Sequence, residues 1–250
     1  MAKLYIGTSG WIYPHWDAVF YPLNLPSKGK LKYFSKYFKT TEINYSFYHL
    51  PSRTTFERWY QETPPDFVFS LKASRYLTHI KRLKGIKKAW SSFLKNALFL
   101  KEKLGPVLFQ LPPSFKNNQE NFKRLNEFLK FIFTKKSRQK LKFCFEFRHQ
   151  SWCQEKIYQL LKKYKMAWVI ADSPAWPKAE KVTAPFVYFR MHGSKILFSS
   201  NYTNKELKTL AQKIKNYLKR NLEVYIYFNN DSQGFAVKNA KELKNILKSY

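Results

Sequence analysis

Residues 142–149 read KFCFEFRH, and phenylalanine at every second position places Phe143, Phe145 and Phe147 on one face of a β-strand. Cys144, Glu146 and Arg148 fall on the other face. One side is suited to packing under helices, while the other carries opposite charges side by side and suits a polar interior. Seven further runs have the same build: LYIGTSG (4–10), TEINYS (41–46), FVFSLKAS (67–74), PVLFQLPPS (106–114), AWVIADSP (167–174), FVYFRMHG (186–193) and VYIYFNND (224–231). Each is apolar and β-prone and ends in polar or turn residues. Eight such runs alternating with helical stretches predict an α/β fold, a single-domain TIM-type (β/α)8 barrel over residues 1–250.

The helical stretches follow in order. KLKYFSKYF (30–38) and RTTFERWYQE (53–62, with Ser52 as N-cap) come first, then AWSSFLKNALFLKEKL (89–104) and NQENFKRLNEFLKFIF (118–133). CQEKIYQLLKKY (153–164), NKELKTLAQKIKNYLKR (204–220) and AVKNAKELKNILKSY (236–250) complete the set. Between the sixth and seventh strands, SPAWPKAEKVTAP (173–185) carries three prolines, which predicts an irregular crossover in place of a helix.

Chemistry in such a barrel gathers where the strands end. Strand alternation sends Ser9, Asn44, Lys72, Gln110, Arg148, Asp172, His192 and Asn229 to an upper interior layer at the C-terminal mouth, with Glu42, Glu146 and Arg190 one layer below. A barrel interior normally packs branched apolar side chains. Burying ionisable groups costs several kcal/mol each unless they are paired. A closed salt-bridge network is the purely structural account; a ligand-binding mouth is the functional one, and the two coexist if Lys72 and His192 stay free to act on a bound molecule.

These motifs also identify a resemblance. GTSGWIYPHWDAVFYP, EINYSFYHLP, FERWYQETPPDFVFSLKAS followed by Thr78 and His79, LGPVLFQLPPSF, FEFRHQSW, YFRMHG and YFNNDSQGFAVKNA together resemble the YecE-like family, the domain of unknown function numbered 72, from Lys3 to about Leu243. The resemblance implies a TIM-type barrel, distantly similar to the xylose-isomerase-like and apurinic-site endonuclease barrels. It brings no assigned reaction and no catalytic residues.

Charge bears on the partner. There are 46 Lys and Arg against 16 Asp and Glu, a net charge of +30. The resulting field would concentrate nucleic acid, acidic lipid or phosphorylated substrates. Only nine of the cations are Arg, so AT-rich coding composition accounts for the excess equally well. The loop SRYLTHIKRLKGIKK (74–88) is either a basic steering surface beside the mouth or a solvated loop. No apolar run approaches the roughly 20 residues that span a bilayer, and the chain opens directly on its first strand, so a cytoplasmic protein with no membrane partner and reduced Cys144 and Cys153 is expected.

Two ligand classes were weighed for the mouth. Glu42, Glu146, Asp172 and His192 would suit a divalent ion, but Lys72, Arg148 and Arg190 compete for the carboxylates and no HxH or HExxH spacing occurs; no cofactor is expected, with a divalent metal as the minor alternative. An anion fits better. HGSK (192–195) and NNDSQG (229–234) follow strands seven and eight, where this fold often binds phosphate, and a helix N-terminus opens just beyond. The sequence therefore predicts a mouth that takes an anionic small molecule or nucleic acid through Glu42, Asn44, Gln110, Arg148, Arg190, Gly193, Ser194, Lys195, Asn229, Asn230 and Asp231. Catalysis, as phosphate-ester or nucleic-acid backbone hydrolysis, falls to Lys72, Glu146, Asp172 and His192. The alternatives are noncatalytic nucleic-acid binding, and a sugar-phosphate isomerase or lyase with Lys72 or Glu42 as base.

Overall fold

The computed structural model describes residues 2–139 and 141–248. Its strands are β1 Leu4–Thr8, β2 Thr40–Ile43, β3 Val68–Lys72, β4 Leu104–Leu111, β5 Phe143–Phe147, β6 Ala167–Asp172, β7 Phe186–Met191 and β8 Glu223–Phe228. All pair in parallel, in the order β1-β8-β7-β6-β5-β4-β3-β2. The ring closes between β1 and β2 through a Ser9–Glu42 bridge, where the Gly10 N–H donates to Glu42 O at 2.8 Å and Thr41 Oγ1 donates to Thr8 O at 3.0 Å. Gly7 makes this approach possible: a Cβ there would sit 2.1 Å from Thr40 O.

Helices α1 Ser27–Tyr37, α2 Tyr45–Tyr48, α3 Arg53–Glu62, α4 Lys87–Ala97, α5 Gln119–Gln139, α6 Glu155–Lys163, α7 Asn204–Lys219 and α8 Phe235–Lys248 surround the ring. Ser52 caps α3 by accepting from the Thr55 N–H, and Thr203 with Glu206 forms a reciprocal capping box on α7. α4 ends earlier than its periodicity suggested; tighter turns continue to Lys103, with Lys101 at φ 50°. Residues 173–185 contain neither helix nor strand, as the three prolines predict. Thr183 pins this crossover to β6, accepting from the Trp168 N–H at 2.8 Å and donating to Met166 O at 2.6 Å.

Outside the wall, Phe143, Phe145, Phe147, Val187, Phe189 and Met191 join the main core under the helices. Inside, Leu108, Cys144, Ala167, Val169, Phe186, Tyr188, Tyr225 and Tyr227 fill the lower lumen. The alternation read from sequence holds on β5, β7 and β8 and fails on β6, where Ile170 and Asp172 were expected inside. The register pairs Cys144 with Ala167 and Arg190 with Ala171, so the small residues of AWVIAD face inward. Trp168 lies outside, stacked on Phe147 at 5.1 Å and edge-on to Tyr158 at 5.0 Å. A lumen already holding three tyrosines has room for alanine and valine and none for an indole.

Candidate functional site

The lower charged layer forms because β2, β5 and β7 each turn one ionisable side chain inward at the same height. Arg190 is its hub, donating from Nε and NH2 to Glu42 at 3.0 and 2.8 Å and from NH1 to Glu146 Oε2 at 2.6 Å. Ser9 and Tyr188 hydroxyls each donate to Glu42 at 2.7 Å, and Arg148 Nε donates to Glu146 Oε1 at 2.6 Å. Glu42, Glu146 and Arg190 are at most 1% exposed. Burial alone would raise both carboxyl pKa values; the charge of Arg190, joined by that of Arg148 at Glu146, overcomes it and holds both carboxyls below their usual range. The two carboxylates and two guanidiniums cancel.

Above this neutral layer lie the groups of the mouth. Lys72 ends β3 with its ammonium 4.0 Å from the Phe47 ring centroid and, among the described residues, no hydrogen-bond or carboxylate partner. Burial, then Arg190 and Arg148, push its pKa down to about 7. His192 is fully buried, takes an Asn229 amide hydrogen bond on Nδ1 at 3.0 Å and approaches Glu146 Oε2 with Nε2 at 3.4 Å. Burial and Arg190 keep it neutral, with a pKa lowered to about 4. Gln110 meets His79 at 3.4 Å, and Asn44 Oδ1 is buried without a hydrogen-bond partner. The guanidinium of Arg148 stacks on Trp176 at 3.5 Å, and Trp176 stands edge-on to His192 at 4.9 Å.

Lys72, Glu42, Glu146, Arg148, Arg190, His192, Gln110 and Asn229 therefore share one mouth. Asp172 does not belong to it. On the outer face of β6 it accepts from Tyr202 OH at 2.8 Å and pairs with Lys178 at 2.8 Å, which corrects its expected catalytic position. A cavity of about 370 Å³ opens there, between the β6–β7 wall and α7, lined by Asp172, Ser194, Tyr202 and Glu206 over an apolar floor. It exists because no helix follows β6 in the chain, and it lies apart from the charged mouth.

The phosphate cradle expected at HGSK and NNDSQG is also corrected, because the loops spend their donors internally. The Gly193 N–H donates to Tyr202 OH at 2.9 Å, and the Lys195 and Ile196 N–H groups both donate to Ser200 Oγ, at 3.0 and 2.5 Å. Asn230 is buried and donates to Ser200 O and Asn239, both at 2.8 Å. Asp231 accepts from Trp16 Nε1 at 2.7 Å and pairs with His15 at 3.0 Å, so a carboxylate stands where the anion was to bind. Burial pushes its pKa up to about 6, opposed by those two partners.

Sequence reasoning puts His79 and Trp176 beside the mouth but gives neither a role in the site. His79 sits in a single wide turn closed by the Lys81 N–H donating to Tyr76 O, five residues apart, a geometry common at functional sites. Thr78 Oγ1 meets its Nδ1 at 2.9 Å, and burial followed by Lys72 and Arg148 lower its pKa to about 4. Nothing in the spacing of SRYLTHIK announces that turn. For metal binding, no three His, Cys, Asp or Glu side chains converge among the described residues. Every oxygen of Glu42 and Glu146 accepts from a neighbour. No described helix is long and apolar enough to cross a membrane.

Comparison with known proteins follows the fold closely. A family model described as protein of unknown function DUF72 matches residues 5–250. The UPF0759 protein YunF of Bacillus subtilis (strain 168) is 25% identical over 280 aligned positions, covering 98% of this chain and 94% of its own. A crystal structure of a DUF72 protein from Thermotoga maritima superposes with a TM-score of 0.85 at 31% identity, covering 98% of this chain and 99% of that one. One from Enterococcus faecalis gives 0.83 at 20%, covering 98% and 96%.

Proposed function

The chain belongs to the DUF72 family, and from that premise, which brings a fold without a reaction, we propose that the mouth is the active site of an enzyme acting on an anionic, phosphate-bearing ligand. Arg148 receives the anion and Lys72 is the reacting amine. One observation carries this reading: the Glu42, Glu146, Arg148 and Arg190 charges pair with one another, and Lys72 is a recessed cation in contact with no carboxylate among the described residues, Glu42 and Glu146 acting on it only from a distance. A bound anion supplies the missing partner.

Within this reading, chemistry at Lys72 is favoured over phosphate-ester hydrolysis. Hydrolysis needs an activated water, and the two carboxylates able to activate one have both oxygens occupied. An amine with a pKa about 7 is half deprotonated at neutral pH and works as base or nucleophile. Calorimetric titration of phosphate tests the site: about tenfold or greater loss of affinity is expected in both Lys72→Met and Arg148→Gln, with folding confirmed by circular dichroism. Unchanged affinity in both refutes it.

A second reading has its own support. Ten of the eleven exposed large apolar or aromatic side chains among the described residues, including Ile12, Tyr45, Tyr48, Tyr76 and Ile80, lie on the segments between the end of a strand and the long helix that follows it, Tyr45 and Tyr48 on the short α2. Exposed Arg75, Lys81 and Lys84 are interleaved with them. Stacking rings among cations suit a single-stranded nucleic acid delivered by its backbone. Fluorescence titration of an oligonucleotide across a salt series should weaken steeply; no binding at low salt removes this reading.

A further inference from the structure

We propose that Lys72 forms a covalent imine with the carbonyl carbon of an aldehyde or ketone phosphate bound in the mouth, an inference that rests on reading the mouth as an anion-binding enzyme site.

Two lysines of this fold, Lys30 and Lys103, are buried more deeply than the partly exposed Lys72. Lys30 is 4% exposed and ends on Asp17 at 2.6 Å. Lys103, also 4% exposed, donates to the carbonyls of Tyr60 and Thr63, the latter at 2.7 Å. Each ammonium drawn into the protein is thus given oxygen acceptors, the ordinary structural solution for a buried cation. Lys72 receives the face of Phe47 instead. Its backbone is held firmly: the carbonyl accepts from Ser46 Oγ at 2.7 Å and the residue sits in register with Leu108 on β4. A fixed stem, an unpartnered head and an apolar wall form a poor ion-pair site and a good seat for an amine nucleophile.

The surroundings serve the same chemistry. Arg148 and Arg190 place positive charge beside the amine, and burial disfavours its protonation, which together keep a reactive neutral fraction at neutral pH. The phosphate end of a ligand is directed to Arg148, whose guanidinium is stacked on Trp176. His79, held by Thr78 and Gln110, offers a neutral imidazole to pass protons. In the reaction the Nζ lone pair forms the C–N bond, the carbonyl oxygen collects two protons and leaves as water, and a protonated imine remains. Ammonium plus carbonyl gives iminium plus water, so charge balances and no oxidant or reductant is consumed.

The test uses the intact wild-type protein, glycolaldehyde phosphate at pH 7 and sodium cyanoborohydride to reduce any imine, with the modified lysine located by peptide mass spectrometry. Lys72 should be alkylated at least about tenfold faster than an exposed lysine such as Lys84, because far more of it is unprotonated. Inorganic phosphate should suppress that labelling, and Lys72→Arg, which keeps the charge without a nucleophilic amine, should lose the labelled peptide. Equal labelling by glycolaldehyde without phosphate, insensitive to phosphate, supports the amine chemistry and overturns the anion reading. Calorimetric phosphate binding with Lys72 no faster than Lys84 overturns the imine and leaves the anion site standing. Neither binding nor preferential labelling overturns both.

Discussion

Replacing Arg190 with Met tests whether the lower layer is one coupled electrostatic unit. The substitution keeps an unbranched side chain of similar reach but withdraws three donors, two from Glu42 and one from Glu146, at a place where all three residues are at most 1% exposed. Glu146 keeps Arg148; Glu42 is left with Ser9 and Tyr188 and no hydrogen-bonded cation among the described residues. Breaking a buried pair in this way costs about 3–5 kcal/mol, which corresponds to a fall in Tm of roughly 6–20 °C for a domain of this size.

The pH dependence carries the sharper signature. In the wild type the Glu42 carboxyl lies below its unfolded value, so its contribution is present above that value, near pH 4.3, and is lost as pH falls through the folded pKa. In Arg190→Met the carboxyl is buried without its counter-charge and its pKa rises. Stability is then greatest below the unfolded value and declines as pH climbs through the folded one. Urea unfolding followed by tryptophan fluorescence at pH 4.5, 6 and 7.5 should show the variant losing stability relative to wild type as pH rises, the wild-type Glu42 contribution being already complete across that range. Adding Glu42→Gln to the variant should restore most of the loss. A loss under about 1 kcal/mol, parallel pH slopes, or no rescue by Glu42→Gln would refute the coupled unit.

Lys72→Met should unfold at higher urea than wild type at pH 6, with the difference shrinking toward pH 10, because a Lys with a pKa lowered to about 7 penalises the folded state while protonated and is relieved above it; an advantage that grows with pH contradicts this. Gly7→Ala places a methyl 2.1 Å from Thr40 O and should cost at least about 3 kcal/mol or prevent soluble expression, whereas a wild-type Tm would show that β1 and β2 separate freely. Thr203→Ala removes the hydroxyl half of the α7 capping box, leaving the backbone N–H at 203 to donate to Glu206, and should lower stability by about 1 kcal/mol in thermal melts, without change in phosphate affinity at the mouth.

The sequence by itself determined the eight strands, the seven helical stretches, the irregular crossover after β6 and the polar interior, because these depend on local periodicity and turn chemistry. KFCFEFRH and FVYFRMHG carry bulky apolar residues at every second position, so Glu146, Arg148, Arg190 and His192 were placed inward correctly. On AWVIADSP every one of the first five residues is apolar, and hydrophobicity alone cannot choose a face. The neighbouring register and the three tyrosines filling the lumen decide it, sending Trp168 and Asp172 outward. The folded chain likewise decided the fate of HGSK and NNDSQG: Ser200, Tyr202 and Asn239 fold back from nearby in the chain and Trp16 and His15 come from the distant β1–α1 loop to engage their polar groups. Lys72 is the converse case. Its position could be read from strand parity, but that its ammonium has a ring beneath it and no acid beside it depends on how α2 and β5 are brought around β3, and only the assembled barrel settles that.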